Sequence, residues 1–226
     1  GDLFKEQRVG DFKGSFFRSI TLAIIVMILT VVISLAAGLA YRRSFKFSGT
    51  VFYITVASLI VPSILITLGI GLMFDRLNIE ATWYTSGMGA HLTWTLPFGL
   101  LIMFAIFNRF DKSYEEAARD LGATPWQVMR FVVIPIITPS LVGIGLFGFT
   151  LSFDEFARSL LSVGSKNTLP LEIFGMTTTV TTPTLYALGT ITTAVSFLII
   201  GLSFSTIALI ERRRRRHGSD AGQGMV

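Results

Sequence analysis

The sequence predicts an all-α, polytopic membrane helical bundle, and three observations predict it. Of the 226 residues 51% are apolar and only 15% charged, with a mean hydropathy of +0.66; soluble domains carry roughly 25% charged residues. Five windows hold no Asp, Glu, Lys or Arg: 19–41, 47–74, 81–108, 131–153 and 173–210. Each exceeds the ~20 residues an α-helix needs to cross the hydrocarbon core. The runs are continuously apolar, without the alternation of a barrel strand, so helices are the elements that satisfy their backbone in lipid.

The expected spans are 17–41, 51–73, 90–108, 137–161 and 185–210. The last begins late in its window because Thr177–Thr184 is too polar and carries Pro183. The turn at 42–50 and the loop at 74–89 are short, and no repeat recurs at a fixed period. The chain 1–226 therefore reads as one membrane domain, with a loop at 109–136 and a basic tail at 211–226.

Charge sets the expected orientation. "RRRRRH" (Arg212–His217) follows the last span directly, where a basic cluster reads as a cytoplasmic anchor beside anionic lipid. With the C-terminus inside, Arg42, Arg43, Lys46, Arg109, Lys112, Arg119, Arg130 and Arg212–Arg216 are also inside, twelve of the 19 basic residues. The first segment, "GDLFKEQRVGDFKGSFFR", then falls outside, which needs an earlier span to deliver it. A sixth span is expected upstream, and no signal peptide is visible.

Several chemistries are excluded. The chain has no cysteine, which removes disulfides, thiolate chemistry and Cys-bound zinc, and two histidines are too few for a metal site. The net charge of +5 sits in the tail and loops, so nucleic acid is not the expected partner. No Gly-Lys dipeptide occurs, hence no P-loop, and no G-x-S-x-G elbow supports a hydrolase. "GIGLFG" (Gly143–Gly148) has the form of a dinucleotide fingerprint, but it lies inside an apolar span with no preceding strand. Its glycines, like Gly69 and Gly71, are expected to let helices approach closely. His91, Trp83, Tyr84 and Tyr186 read as interfacial polar and aromatic residues.

The longest charged interruption is "EEAARDLGATPWQVMRFVVIPIITP" (Glu115–Pro139). Ser113 and Glu116 have the spacing of a capping box, which starts a helix near Ser113. Gly122 takes the left-handed conformation that stops it. Thr124 caps a second short helix with Pro125 at its first position. Trp126, Met129 and Val133 give that helix an apolar edge, and Pro135 and Pro139 end it and open the next span. Two readings stand on these residues alone: a helical hairpin that connects two spans among lipid head groups, and a docking knob for a cytoplasmic partner, which the length of the stretch and its Trp and Met favour.

Here the residues resemble a family. Glu116-Ala117-Ala118, then Gly122 after three intervening residues, and Val132-Val133-Ile134-Pro135 after nine more match the E-A-A loop of ABC importer permeases, with Val for Ile and Ile for Leu as the only departures. "YRRSFKFSG", "LIVPSILITLGIGLMF", "WTLPFGLLIMF", "LSFDEF" and "TLPLEIFGM" resemble the spermidine/putrescine type, from about Phe17 to Ile210. The resemblance implies a type I importer permease fold in a bacterial inner membrane, normally of six spans. It implies that Glu116, Ala117, Ala118 and Gly122, with Ala123 and Trp126 beside them, form the coupling element that seats in an ATPase subunit. It implies a cytoplasmic ATPase dimer carrying ATP and Mg, a second and different permease, and an extracytoplasmic binding protein. This chain itself would carry no cofactor and no catalytic residue.

Asp154 and Glu155 in "LSFDEFARSLL" fall late in the expected fourth span. Carboxylates at that depth cost about 2–3 kcal/mol or more unless paired or wetted, which marks them as candidates for the path of a cationic substrate. The structural alternative is that Asp154 and Arg158, at i and i+4, neutralise each other. The expected function is thus the permease of an ATP-driven importer for a small solute, a polyamine or another such as an opine or iron, working by alternating access. A secondary transporter, which would show inverted repeats and mid-membrane coupling carboxylates, and a membrane scaffold are the alternatives.

Overall fold

The computed structural model describes residues 11–42, 46–179 and 183–220 and contains nine α-helices and no strand among them. The first, α1 (Phe12–Tyr41), starts where the Asp11 carboxylate accepts the Gly14 N–H at 3.0 Å. Its buried face is mostly small or polar, with Ser15, Ser19, Leu22, Ala23, Val26, Thr30 and Ser34 at helical spacing, and Phe17, Ile24, Ile28 and Val32 face outward. A water-soluble helix does the reverse. In lipid the large apolar side chains lose nothing by facing out, and helices meet over small residues.

Two long helices use that face. α4 (Met88–Arg109) runs parallel to α1: the Thr30 and Thr95 hydroxyls share a hydrogen bond of 2.7 Å, Gly99 abuts Thr30 and Ser34, and Gly38 abuts Met103 and Phe107. α7 (Ile134–Phe153) runs antiparallel, with Gly145 against Met27 and Val31 and Gly148 against Thr30. Gly145 and Gly148 therefore do bring helices together, whereas a Cβ on Gly143 would meet nothing within 4 Å. Gly99→Ala is expected to lower stability by about 1–3 kcal/mol, because its Cβ would press on Ser34 and on Thr30 Cγ2 at 3.1 Å. Gly143→Ala should be neutral or raise it by up to ~1 kcal/mol. Melting of the two variants in detergent checks the contrast; equal melting points would contradict the close packing.

The spans differ from the expected ones at three places. The apolar run 51–73 is not one helix but α2 (Ser48–Ile60) and α3 (Ser63–Arg76), bent by 99°. Pro62 is the cause. It bars Val61 from the helical region, and Val61 sits at φ −66°, ψ 125°. The third span is longer than 90–108, because a π-turn at Trp83–Gly87 runs into α4. The fourth runs over Pro125–Phe153 rather than 137–161. Pro135 stands in the first turn of α7 and Pro139 inside it, while the span as a whole begins earlier, at Pro125. A π-turn at Met129–Val133, in which the Ile134 N–H bonds the Met129 carbonyl, precedes Pro135.

Among the described residues three helices are long and apolar enough to span a membrane, Lys13–Tyr41, Trp83–Arg109 and Pro125–Phe153, or four if the bent pair counts as one span. The last helix, α9 (Pro183–Asp220), follows α8 (Leu169–Thr179). The fifth expected span, 185–210, lies wholly within this helix. The first ten residues and Arg43 lie outside the described residues.

The bundle has two ends. One carries Arg42 and the loop after Arg109; the other carries the N-terminus of α1, the turn before α4 and the segment 154–168. Separate apolar clusters close them, Met103, Phe107, Val128, Val133, Ile137 and Ile144 at the first and Ala23, Phe149, Phe153 and Leu169 at the second.

Candidate functional site

At the first end α4 stops at Phe110, and α5 (Ser113–Asp120) begins after two residues. The expected capping box does not form. Asp111 takes the role instead, its carboxylate accepting the Ser113 N–H at 2.9 Å, and this bond, with a second from the Ser113 side chain, holds Asp111 below the usual carboxylate range. Glu116 is released to face outward. Gly122 does adopt the left-handed conformation, φ +84°. Thr124 then caps α6 (Pro125–Val128) in a reciprocal pair, accepting the Gln127 N–H at 3.4 Å while Gln127 Oε1 accepts the Thr124 N–H at 2.7 Å.

The resulting hairpin has two sides. Glu116, Ala117, Leu121, Gly122 and Trp126 are exposed, Leu121 by 90% and Trp126 by 68%. Ala118 and Ala123 turn inward and pack on the apolar cluster with Val128 and Val133. Of the six residues singled out in the sequence, four therefore face out and two anchor the hairpin.

One residue was missed. Glu115 is buried, and its carboxylate pairs with Arg42 at the end of α1 and, at 3.3 Å, with Arg119. Arg42 lies over the rings of Phe107 and Phe110, at 4.9 and 5.1 Å. Glu115 and Glu116 are neighbours about 100° apart on a helix, so one points at the bundle and the other away from it. Spacing alone does not say which.

At the second end the helix stops at Phe153, and Asp154 is its C-cap, exposed on the surface of the chain. The chain continues as successive turns because side chains take the backbone bonds that a helix would use. Glu155 Oε1 accepts the Arg158 N–H at 2.9 Å, the Ser159 hydroxyl donates to the Glu155 carbonyl at 2.8 Å, and the Ser162 hydroxyl donates to the Arg158 carbonyl. Gly164, at φ +69°, closes the segment against the Ala81 carbonyl, where a Cβ would collide.

Asp154 and Arg158 do not neutralise each other. Arg158 is fully buried and reaches α4 instead: its guanidinium donates to Thr93 and to the Ala90 carbonyl at 3.5 Å and lies 4.9 Å over the Trp94 ring. His91, expected at an interface, is buried beside it, with Nδ1 2.8 Å from Ser152 Oγ and Nε2 3.0 Å from Ser159 Oγ. Thr67 donates to the Arg158 carbonyl at 2.9 Å and Ser86 to the Ser162 carbonyl at 2.5 Å, so α3, the π-turn and α4 all tie down this segment.

The anchoring leaves Asp154 facing a cavity of about 270 Å³ between the end of α7 and α9, lined also by Thr192, Thr193, Ser196, Phe197 and Ile200. Glu155 is not among its walls; its carboxylate holds the turn. A second cavity, about 650 Å³, shares Thr193 and Phe197 and is walled by Ile173, Tyr186, Gly189, Thr190 and Ala194. Tyr186 thus lines a cavity rather than serving only as a belt residue. A carboxylate, hydroxyls and an aromatic ring suit an organic ammonium group, and the larger apolar space suits an alkyl chain.

The chain is similar to known proteins. The family described as "binding-protein-dependent transport system inner membrane component" matches residues 30–216. The spermidine/putrescine transport system permease protein PotC of Haemophilus influenzae is 32% identical over 187 residues, 82% of this chain and 72% of that protein. The putrescine transport system permease protein PotI of Escherichia coli is 28% identical over 215 residues, 91% of this chain and 76% of that protein. Among solved structures, the MetNI methionine ABC transporter in an inward-facing conformation superposes with a TM-score of 0.72 at 16% identity, covering 88% of this chain and 94% of that one. At that identity the likeness speaks for the fold.

Proposed function

The chain belongs to the binding-protein-dependent transport system inner membrane component family, and from that premise we propose that it is one permease of an ABC importer whose cargo is a polyamine or a closely similar organic cation. The observation that carries the reading is the hairpin 113–128: a capped element whose outer side leaves Glu116, Ala117, Leu121 and Trp126 exposed among the described residues. Large apolar side chains exposed beside a charge are what an interface needs.

In this proposal Glu116, Ala117, Gly122 and Trp126 seat in a cytoplasmic ATPase subunit, with Ala118 and Ala123 bracing them from behind. ATP and Mg belong to that partner. The end bearing Arg42, Arg109, Lys112, Arg119 and Arg130 is cytoplasmic, as is the C-terminus. A second, different permease completes the pathway, and a binding protein delivers cargo at the other end. Asp154 meets the cargo there, with the hydroxyls and Phe197 ring of its cavity. The printed names of the relatives, spermidine and putrescine permeases, support an amine. Closure of the ATPase dimer pushes on the hairpin, and the attached helices turn to open the cavity to alternate sides.

Purification tests the assembly. The tagged protein, extracted in mild detergent, is expected to bring down an ABC ATPase, a second permease and, in the presence of cargo, a binding protein. Absence of any ATPase, even from cross-linked cells, would remove ATP coupling and leave a stand-alone secondary transporter.

A further inference from the structure

We propose that the Arg42–Glu115 ion pair is the link through which the docking hairpin moves α1, so that these two residues position the hairpin on the spans and neither touches cargo nor ATPase. The inference rests on the importer reading above and adds to it a transmission element inside this chain.

Three observations carry it. First, α5 has only eight residues, and helices shorter than ~12 residues are marginal unless packed. Its neighbours in packing, α6 and the π-turn after it, belong to the same stretch of chain that leads into α7. A push on the hairpin would therefore reach α7 directly along the chain, and α1 through the non-directional apolar cluster under Ala118 and Ala123 and through one polar contact. Second, that contact is present and is well sheltered. The side chains of Arg42 and Glu115 are 15% and 11% exposed, while Arg119, the other partner of Glu115, is 57% exposed. Ion pairs at the surface transmit little, because solvent and side-chain freedom compete with them; a sheltered pair breaks at a much higher cost. Third, Arg42 is itself held. It caps the end of α1 and lies against the rings of Phe107 of α4 and Phe110 just beyond it, and Phe107 also closes on Gly38 of α1. A planar guanidinium can pair and stack at once, which a lysine ammonium does not do. The pair thus joins α5, α1 and α4 at one point.

The two adjacent glutamates divide the work. Glu116 faces the partner, and Glu115 faces the chain's own spans. Loss of the second should leave docking intact and disconnect it.

The complete importer, reconstituted in proteoliposomes, gives the test, read as ATP hydrolysed and cargo transported. Glu115→Gln and Arg42→Gln are expected to retain the ATPase subunit and its hydrolysis while transport per ATP falls at least about tenfold. Arg119→Ala is expected to change that ratio less than about twofold. The 226 residues contain no cysteine, so in an importer whose other cysteines are replaced, Arg42→Cys with Glu115→Cys can be bridged specifically by a short bifunctional thiol reagent. The open double variant should be uncoupled, and bridging should bring the ratio back to within about threefold of the parent. Unchanged transport per ATP in Glu115→Gln, or a bridged pair that stays uncoupled, overturns the link. A single variant that loses the ATPase altogether also overturns it, since the pair would then belong to docking. If the parent complex itself fails to transport, the importer reading falls rather than this one.

Discussion

Reversing the charge of Glu116 is expected to lower ATP-driven uptake by at least about 100-fold. Glu116 projects from the outer side of α5 beside Ala117, and on the same hairpin Leu121 and Trp126 are exposed by 90% and 68%. A partner that covers this surface must desolvate the carboxylate, and it does so at acceptable cost only if it supplies a cation or hydrogen-bond donors. Glu116→Arg turns that attraction into like-charge opposition, which costs several kcal/mol in an interface; every 1.4 kcal/mol is tenfold. Glu116→Gln keeps the shape and an acceptor and should lose far less. Two measurements separate docking from folding: the amount of permease in the membrane, expected unchanged, and the amount of ATPase that co-purifies, expected to collapse with Arg and not with Gln. Full uptake in Glu116→Arg would mean that the hairpin is a connector. Gly122→Val probes the same element differently. Its Cβ would meet open space, so the expected cost is the left-handed backbone alone, roughly 1–2 kcal/mol.

The hairpin was the most legible part of the chain because its signals are local. Gly122 and the Thr124–Pro125 cap act on their own neighbours, and both behave as read. The start of α5 shows the limit: two acceptors compete for the same N–H groups, and Asp111, two residues before Ser113, wins over Glu116. The break at Val61–Pro62 was also written in the sequence, since a residue before proline avoids the helical region. Hydropathy averaged over a window hides it, because Pro62 costs the window little apolar character. The end of α7 at Phe153 was not legible in that way. It depends on Arg158 reaching Ala90 and Thr93, and on His91 meeting Ser152 and Ser159, partners 61 to 68 residues apart in sequence. The small face of α1 carries a helical period of Ser, Ala, Thr and Gly that could have been found. Looking for glycines alone favoured Gly143–Gly148 and passed over Ser15–Ser34.

Asp154→Asn is expected to weaken uptake of a cationic amine by about 10- to 100-fold, mainly as a rise in KM, and Glu155→Gln to change it less than about twofold. The contrast follows from what each carboxylate faces. Asp154 lies at the mouth of the cavity with Thr193, Ser196 and Phe197, where a charge-assisted hydrogen bond to an ammonium is worth roughly 1.5–3 kcal/mol. Asparagine fills the same space without the charge. Glu155 spends an oxygen on the Arg158 N–H at 2.9 Å, and a glutamine carbonyl can accept that bond equally well. Phe197→Leu should cost a smaller factor, about two- to fivefold, the size of a cation–π contact at a partly open site. Uptake by the reconstituted complex, measured against cargo concentration for the three variants, ranks these effects. If Glu155→Gln proves the damaging change and Asp154→Asn is silent, the cavity beside α9 is not on the path. The cargo must then pass on the other side of the 154–168 segment, which Arg158 and His91 now seal.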